Sequence, residues 1–261
     1  MNAADVAGRR VRLFVHADLA AAATVDLDAA QTHYLRHVMR RSAGDAVALF
    51  NGRDGEWRAT IAAYAKSGAR LSVTVQARPQ RPEPDLWLVF APIKRAHLDV
   101  LAEKATELGV SALVPVFTRH TAVGRINIER LRANAVEAAE QCERLSVPQL
   151  VEPVHLDRCI AGWPSERRLL LCAEAGEARP IATALAELAR RPEEMHAPWA
   201  VLIGPEGGFA RSELDGLRKL PFVTPVGLGP RVLRADTAAL AALACWQAIL
   251  GDGEARPPPR A

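Results

Sequence analysis

Residues 200–209 read AVLIGPEGGF, a short apolar run followed by a loop that holds three glycines and one proline. The apolar run Ala200–Ile203 is typical of a buried strand, and the residues from Ser212 to Leu220 predict a helix. Glycine lets the backbone adopt positive φ and approach a ligand closely, while Pro205 stiffens the turn. We therefore expect a strand, a ligand-binding loop and a helix, in that order.

A second glycine-proline loop, residues 227–234, reads GLGPRVLR and leads from a predicted strand, Phe222–Gly227, into a final helix, Asp236–Leu250. Because one helix separates the two loops, we expect their strands to be neighbours and the loops to share a pocket at the carboxyl ends of the strands. Neither a Gly-Lys-Ser/Thr nor a G-x-G-x-x-G pattern is present, which argues against a phosphate site. Backbone amides and carbonyls suit an adenine ring, so a nucleoside-type cofactor is one interpretation. Tight turns between buried elements are the other.

The chain around these loops alternates between strands and helices. Further strands are predicted at Leu86–Ala91, Ala112–Phe117 and Arg168–Ala173, and further helices at Ala96–Leu108, Ile128–Arg144 and Ile181–Arg190. This alternation indicates an α/β domain, residues 86–251, with a mostly parallel sheet covered on both faces. The proline-rich tail, residues 252–261, is expected to be disordered.

The first third of the chain has the pattern of a small β-barrel. Strands are predicted at Arg10–Val15, Ala46–Phe50, Glu56–Ala63 and Arg70–Val75, with one helical stretch at Ala29–Arg40. Short glycine-containing connections separate these strands, as in small barrels. Three prolines between Arg78 and Pro84 permit neither a helix nor a central strand. We therefore expect a first domain, residues 1–78, and a linker, residues 79–85.

The positive charge of the chain lies in this first third. Up to Pro84 there are 12 Lys and Arg against 8 Asp and Glu, a net charge of +4, whereas the remainder carries 21 against 22, a net charge of −1. This asymmetry favours an N-terminal domain that binds a polyanion, followed by a nearly neutral remainder of the chain. Ordinary surface charge is the alternative.

Composition excludes several classes of protein. A chain that is 49% apolar and 24% charged is globular rather than disordered. Met1–Arg12 is mixed and polar, so we expect no signal segment, and the longest apolar stretch, Ala238–Leu250, is too short to span a bilayer. The four cysteines form no C-x-x-C pair, and no HExxH surrounds His33 and His37, so no metal is expected. A cytoplasmic protein is predicted.

Five segments, in this order along the chain, resemble the RsmE family of the SPOUT methyltransferases, the enzymes that methylate uridine N3 in 16S ribosomal RNA. The segments are HYLRHVMR (residues 33–40), KATELGV (104–110), EQCER (140–144), IGPEGG (203–208) and LGPRVLR (228–234). The resemblance covers Arg12–Gly251. It implies an N-terminal PUA-like β-barrel followed by a SPOUT-type α/β domain with a C-terminal trefoil knot.

The resemblance also implies a ligand and partners. S-adenosyl-L-methionine is expected in the knot, and the substrate is 16S ribosomal RNA or the assembled small ribosomal subunit. A homodimer is expected, and the nearly all-apolar final helix is consistent with one. The residues implied in cofactor binding are Leu202, Ile203, Gly204, Glu206, Gly207, Gly208, Leu228, Gly229, Arg231 and Leu233.

Uracil N3 carries a proton and is a poor nucleophile until that proton leaves, so a site needs a base or cationic donors beside O2 and O4. Arg234 and Arg144 are the candidate donors. Glu140 and Asp236 are weaker candidates for the base, and helix-surface or capping carboxylates would look the same. The family commonly has Arg-Thr-Glu-Thr where this chain has Arg234-Ala-Asp-Thr.

The basic first third predicts that Arg12, Arg36 and Arg40 contact RNA. Two other functions stay open on this evidence. One is a SPOUT methyltransferase that acts on transfer RNA, and the other is a non-catalytic ribosome-assembly factor with the same fold.

Overall fold

The computed structural model describes residues 11–66, 68–173 and 178–256, and the chain divides into two compact units. The first unit holds the chain up to Pro82 together with Ala139–Val147, and the second holds Glu83–Ala138 and the chain from Pro148. The sequence assigns Ala139–Val147 to the second domain, so the structure differs there. Residues 252–256 of the predicted tail are described, and the remaining tail residues, 257–261, lie outside the described part.

The first unit is built on a five-stranded sheet. Its strands are β1 (Arg12–Phe14), β2 (Thr24–Asp26), β3 (Ala46–Phe50), β4 (Glu56–Ala65) and β5 (Gly68–Arg78). They lie in the order β1-β3-β4-β5-β2, with β1 parallel to β3 and the other neighbours antiparallel. Alternate side chains of β5, such as Leu71 and Val73, enter an apolar core. The sequence prediction missed β2, which has three residues and therefore no detectable periodicity.

The helical stretch of the first unit has two parts. Helix α1 (Ala29–His33) begins after Asp28, whose Oδ1 accepts the amide of Gln31 at 2.7 Å. A π-helical turn, Tyr34–Val38, follows it directly. The single helix predicted to Arg40 therefore ends earlier, and Arg40 has a left-handed backbone with φ +52°.

The second unit is built on a parallel sheet. Its strands are β6 (Leu86–Phe90), β7 (Ala112–Phe117), β8 (Gln149–Leu150), β9 (Val154–His155), β10 (Arg168–Cys172), β11 (Arg179–Pro180), β12 (Trp199–Ile203) and β13 (Val223–Gly227). The order is β11-β13-β10-β12-β6-β7-β8, with β9 also paired to β7, and every pairing is parallel. The predicted parallel sheet is confirmed. The prediction missed β8, β9 and β11, which have two residues each.

Seven helices complete the described part of the chain beyond residue 83. They are α2 (Arg95–Glu107), α3 (Ile128–Cys142), α4 (Leu156–Ala161), α5 (Ile181–Leu188), α6 (Pro192–Met195), α7 (Arg211–Leu217) and α8 (Ala235–Ile249). The last residues of α3, from Ala139, belong to the first unit.

The sequence analysis predicts that strands β12 and β13 are neighbours, but in the structure they are not. Strand β10, which comes earlier in the chain, lies between them and pairs with both, so Cys172 is in register with Ile203 on one side and Val226 on the other. Adjacent strands are about 4.8 Å apart, which places the ends of β12 and β13 about 10 Å from each other. Both strands still end at the same edge of the sheet, because all three run parallel.

Helix α8 packs one face against α2, α5 and β12. Ala239, Ala242, Leu243 and Trp246 are buried on that face, whereas Ala244 is exposed. The sequence predicts burial on most faces, but Leu240 and Ala241 are only half-buried, so part of that apolar surface is uncovered in the single chain. Within the described residues, no helix has the length and apolar character needed to cross a membrane.

Candidate cofactor-binding site

The loop after β12 has two glycines with different roles. A Cβ placed on Gly204 would lie 2.7 Å from the ring of Phe209, so this glycine lets the ring pack against the backbone. Gly208 has φ +69°, and no heavy atom of the described residues lies within 4 Å of a Cβ built there. The Gly208 amide donates to the carbonyl of Pro205 at 2.8 Å and closes the turn. Space is therefore present beside Gly208 but not beside Gly204.

Neighbouring side chains hold this loop in place. Glu213, in the first turn of α7, accepts the amide of Ala210 at 2.8 Å through one carboxylate oxygen and the amide of Arg119 at 2.9 Å through the other. Nδ1 of His120 lies 3.1 Å from the carbonyl oxygen of Gly208. The segment that follows β7 thus braces the loop that follows β12. Sequence reasoning missed these residues, because their partners lie about 90 positions away in the chain.

The loop after β13 is more open. Gly229 has φ +101°, and again no described heavy atom lies within 4 Å of a Cβ built there. Leu228 and Leu233 are half-buried, whereas Arg231 is exposed. Val232 is 83% exposed, the most exposed large apolar side chain among the described residues. The loop offers backbone polar groups and apolar side chains at the same edge as the first loop.

Arg234 and Asp236 lie where this second loop enters α8. Arg234 is the N-cap residue, is exposed, and makes no side-chain hydrogen bond to any described residue. Asp236 instead accepts from the Thr237 amide at 2.8 Å and lies 2.8 Å from Nδ1 of His97. Burial raises the pKa of Asp236, but the hydrogen bonds from His97 and Thr237 outweigh burial and hold the pKa below its usual value.

Cys172 lies at the end of β10, between the two loops in the sheet. Burial, with a smaller contribution from Cys245, raises the pKa of the Cys172 thiol to about 12. A protonated, buried thiol is not a nucleophile near neutral pH. Among the described residues, no group of three or more His, Cys, Asp and Glu side chains is arranged to hold a metal ion.

Arg12, predicted to contact RNA, is buried, and that prediction is wrong for this residue. Its Nε donates to Glu56 at 2.8 Å, and its terminal nitrogens donate to the carbonyls of Ala139, Glu140 and Arg144 at 2.7–2.9 Å. The guanidinium therefore caps the carboxyl end of α3, where backbone carbonyls lack helical partners.

Glu140 and Arg144, the other candidate catalytic residues, belong to the first unit. Glu140 accepts the amide of Phe14 at 2.9 Å, and Arg144 donates to the hydroxyl of Ser146 at 3.0 Å. These contacts favour a structural role for both side chains. The two glycine loops and Arg234 all belong to the second unit.

Arg36 and Arg40 are exposed, as an RNA-contacting role requires. The Arg36 guanidinium lies 5.5 Å from the centroid of the Tyr64 ring, which limits where the side chain points. The rings of His33 and His37 lie beside them, with centroids 4.8 Å apart. The RNA-contacting role of the two arginines stays a prediction.

Comparison with known proteins decides the family. Residues 80–247 match the family model of an RNA methyltransferase domain, and residues 27–73 match that of an RNA methyltransferase PUA domain. The chain belongs to the ribosomal RNA small subunit methyltransferase E family. The Rickettsia conorii member is 30% identical over 89% of this chain and 93% of its own length. The Synechocystis member is 32% identical over 92% of this chain and 78% of its own.

Solved structures share the fold of this chain. A Legionella pneumophila protein, solved with the bound cofactor SAM, is 27% identical, covers 92% of this chain and 98% of its own, and superimposes with a TM-score of 0.79. The Neisseria gonorrhoeae methyltransferase E, at 24% identity and a TM-score of 0.81 over 94% of this chain and 100% of its own, shares the fold. The resemblance of the five segments is thereby confirmed.

Proposed function

We propose that this protein transfers a methyl group from S-adenosylmethionine to N3 of a uracil in 16S ribosomal RNA, as free RNA or within the small ribosomal subunit. The observation that carries the proposal is the pair of glycine loops at one sheet edge, each with a left-handed glycine beside open space, in a chain of this family. A cytoplasmic location follows from such a substrate.

The two loops fit the cofactor chemically. Their ends lie about 10 Å apart, the dimension of a nucleoside, and they offer backbone amides and carbonyls together with half-buried Leu228 and Leu233. Leu202 and Ile203 are fully buried strand residues, so they would contribute backbone atoms only. Gly204, Glu206, Gly207, Gly208, Gly229 and Arg231 complete the proposed set. When bound, S-adenosylmethionine supplies an electrophilic methyl group.

Arg234 is the residue we propose to act on the uracil. Removal of the N3 proton leaves negative charge on O2 and O4, and a preorganised guanidinium beside them stabilises it. Two observations support this role. Arg234 is exposed at the end of the loop that contains Gly229, and Asp236, the carboxylate that would anchor it, is instead paired with His97.

We also propose the finer features of the fold that the resemblance implies. The first is a trefoil knot in the second unit, which rests on the family resemblance. Closure of the first sheet as a PUA-like barrel belongs to the same proposal.

A homodimer is proposed as well. Val100 on α2 is 45% exposed, and α8 leaves Leu240 half-buried and Ala244 exposed. A second copy of the chain would cover this apolar surface. Sedimentation at micromolar concentration should give twice the chain mass, and a monomer mass would contradict the dimer.

Nucleoside analysis tests the reaction. Digested 16S RNA from a strain without this protein should lack 3-methyluridine, and purified protein with S-adenosylmethionine should restore it on small subunits from that strain. Unchanged 3-methyluridine in the deletion strain would contradict the proposal. A methylated nucleoside found only in transfer RNA would favour the alternative substrate.

A further inference from the structure

A histidine–carboxylate pair joins the beginnings of two helices of the second unit. His97 lies in the first turn of α2, and Asp236 lies in the first turn of α8. Nδ1 of His97 and Oδ2 of Asp236 are 2.8 Å apart. The Asp236 side chain is 17% exposed and that of His97 is 41% exposed. The carboxylate is thus the inner member of the pair, and the imidazole is the outer one.

The pair lies at the sheet edge that carries the cofactor loops. Helix α2 follows β6, the neighbour of β12, and the Ala91 amide after β6 donates to the carbonyl of Ile203 at 3.0 Å. Asp236 comes two residues after Arg234 and directly follows the second loop. His97 therefore contacts the side chain that lies two residues after Arg234, the residue that we expect to face the uracil oxygens.

Hydrogen bonding decides which nitrogen of His97 is available. An ionised Asp236 only accepts hydrogen bonds, so Nδ1 of His97 must carry a proton in their contact. In the neutral ring the lone pair then resides on Nε2, and no described residue bonds that atom. This is the arrangement that prepares a histidine to accept a proton.

We propose that His97, oriented by Asp236, is the base that removes the N3 proton of uracil. The inference rests on the proposed methyl transfer and names its proton acceptor. The N3–H bond breaks and its proton moves to Nε2 of His97. N3 uses the released electron pair to bond the methyl carbon, and the electrons of the broken carbon–sulfur bond stay on sulfur. The Asp236 carboxylate stabilises the imidazolium, which later loses its proton to water.

Other charged groups near His97 are few. Lys94 and Arg95 precede it in the chain, and Arg234 lies two residues before its partner. Asp99, two residues further along α2, is already paired with Arg130 and Asn134. Asp236 is thus the one carboxylate of the described residues in contact with the imidazole.

The His97→Asn variant distinguishes a catalytic base from a residue that only anchors Asp236 by a hydrogen bond. An asparagine amide reaches about as far as Nδ1 and still donates to Asp236, but it has no second nitrogen to accept a proton. We expect single-turnover methylation of small subunits to fall at least about a hundredfold near pH 7. We also expect the variant rate to keep rising with pH where the wild-type rate has levelled off. Calorimetric titration should show S-adenosylmethionine affinity within threefold of wild type.

Nitrogen NMR of histidine-labelled protein, without RNA, adds a readout independent of activity. The His97 signal, assigned by its loss in His97→Asn, should report a proton on Nδ1 in the wild type, and Asp236→Asn should weaken that preference.

Three results would overturn the proposal. They are a His97→Asn rate within threefold of wild type, a reduced rate whose pH profile keeps the wild-type shape, and a wild-type proton found mainly on Nε2. If the wild-type protein forms no 3-methyluridine, the proposed function itself fails. That outcome is distinct, because it is seen before any variant is made.

Discussion

Arg12 and Arg234 are the same residue type in opposite settings, one in each unit of the molecule. Arg12 is buried, and its guanidinium donates to Glu56 and to the backbone carbonyls of Ala139, Glu140 and Arg144. Arg234 is exposed at the start of α8 and bonds no described residue through its side chain. A buried guanidinium with all these partners stabilises a fold, whereas an exposed one beside a glycine loop is available to a ligand.

A charged cluster of the first unit consists of the buried Arg12 and Glu56 and the half-buried Arg78. Glu56 is 1% exposed and accepts from Arg12 at 2.8 Å and from Arg78 at 2.6 Å. Burial raises the pKa of Glu56, but the hydrogen bonds from Arg78 and Arg12 outweigh burial and lower the pKa below its usual value. Removing one charge from such a group leaves the others buried and uncompensated.

The largest effect is expected for Glu56→Gln, which breaks this cluster. We expect the first unit to lose about 3–5 kcal/mol of stability at pH 7. Hydrogen exchange of the β3 and β4 amides measures this loss in the first unit alone. Asp26→Asn, which removes the exposed partner of Arg70 in the same sheet, is the matched control and should change little. Equal exchange in the two variants would contradict a stabilising role for the buried cluster.

The lowered pKa of Glu56 also predicts a pH dependence. Because the folded-state pKa is depressed, the stabilisation is present above the usual carboxyl pKa of about 4.3 and is lost as pH falls through the folded-state value. Wild-type stability should therefore decline on the acid side, and the decline should be smaller in Glu56→Gln. The same exchange experiment, carried from pH 7 down to about pH 2 so that it passes well below the usual carboxyl pKa, measures it, and parallel declines would contradict the assignment.

The Arg234→Ala variant tests the proposal that the exposed arginine of the comparison acts in the reaction. Loss of a preorganised donor costs about 2.7–4 kcal/mol of transition-state stabilisation, or roughly a hundred- to a thousandfold in rate. We expect that loss in single-turnover methylation, with S-adenosylmethionine affinity and thermal stability close to wild type. Arg190→Ala, an exposed arginine beyond α5, is the control.

The competing role for Arg234 gives a different pattern. If the arginine only anchors the second loop, cofactor affinity and thermal stability should fall together while turnover at saturating cofactor recovers. Turnover within threefold of wild type would end the catalytic assignment.

The contrast between Arg12 and Arg234 also shows where sequence reasoning stops. Local patterns predicted the glycine loops, the long strands and most helices, because those depend on neighbouring residues. The fate of Arg12 depends on Glu56 and on carbonyls about 130 positions away, so charge counting placed it on the RNA-binding surface. Strand order could likewise not be predicted from local patterns, since β10 precedes both β12 and β13 in the chain and yet lies between them in the sheet.

His97, the proposed base, is the one residue of the proposed site that a feature of the sequence could have indicated, although the sequence analysis did not use that feature. The sequence shows an aspartate at position 236 where the family commonly has glutamate. A carboxylate one methylene shorter needs a partner that reaches towards it, and the His97 ring, with Nδ1 2.8 Å from Oδ2, provides one. A departure from a family motif therefore indicates where to look for a changed partner, although only the fold reveals which residue it is.

The smallest effect is expected for the exposed arginines of the first unit, Arg36 and Arg40. If their side chains contact phosphates, each neutralised contact removes roughly 0.7–0.9 from the slope of log affinity against log salt. The double variant Arg36→Gln and Arg40→Gln should therefore bind 16S ribosomal RNA more weakly, with a slope lower by about one to two. Filter binding of the full chain across several KCl concentrations measures it.

A double change of Arg58 and Arg70 to glutamine is the control for this last test. It removes the same charge from exposed positions on β4 and β5, so any loss that comes from net charge alone should be equal in the two variants. A larger slope change for Arg36 and Arg40 would locate the phosphate contacts beside α1 and its π-helical turn. Equal slope changes would show that the positive charge of the first unit acts without a defined contact surface, and the RNA-binding prediction would then fail for both arginines, as it already does for Arg12.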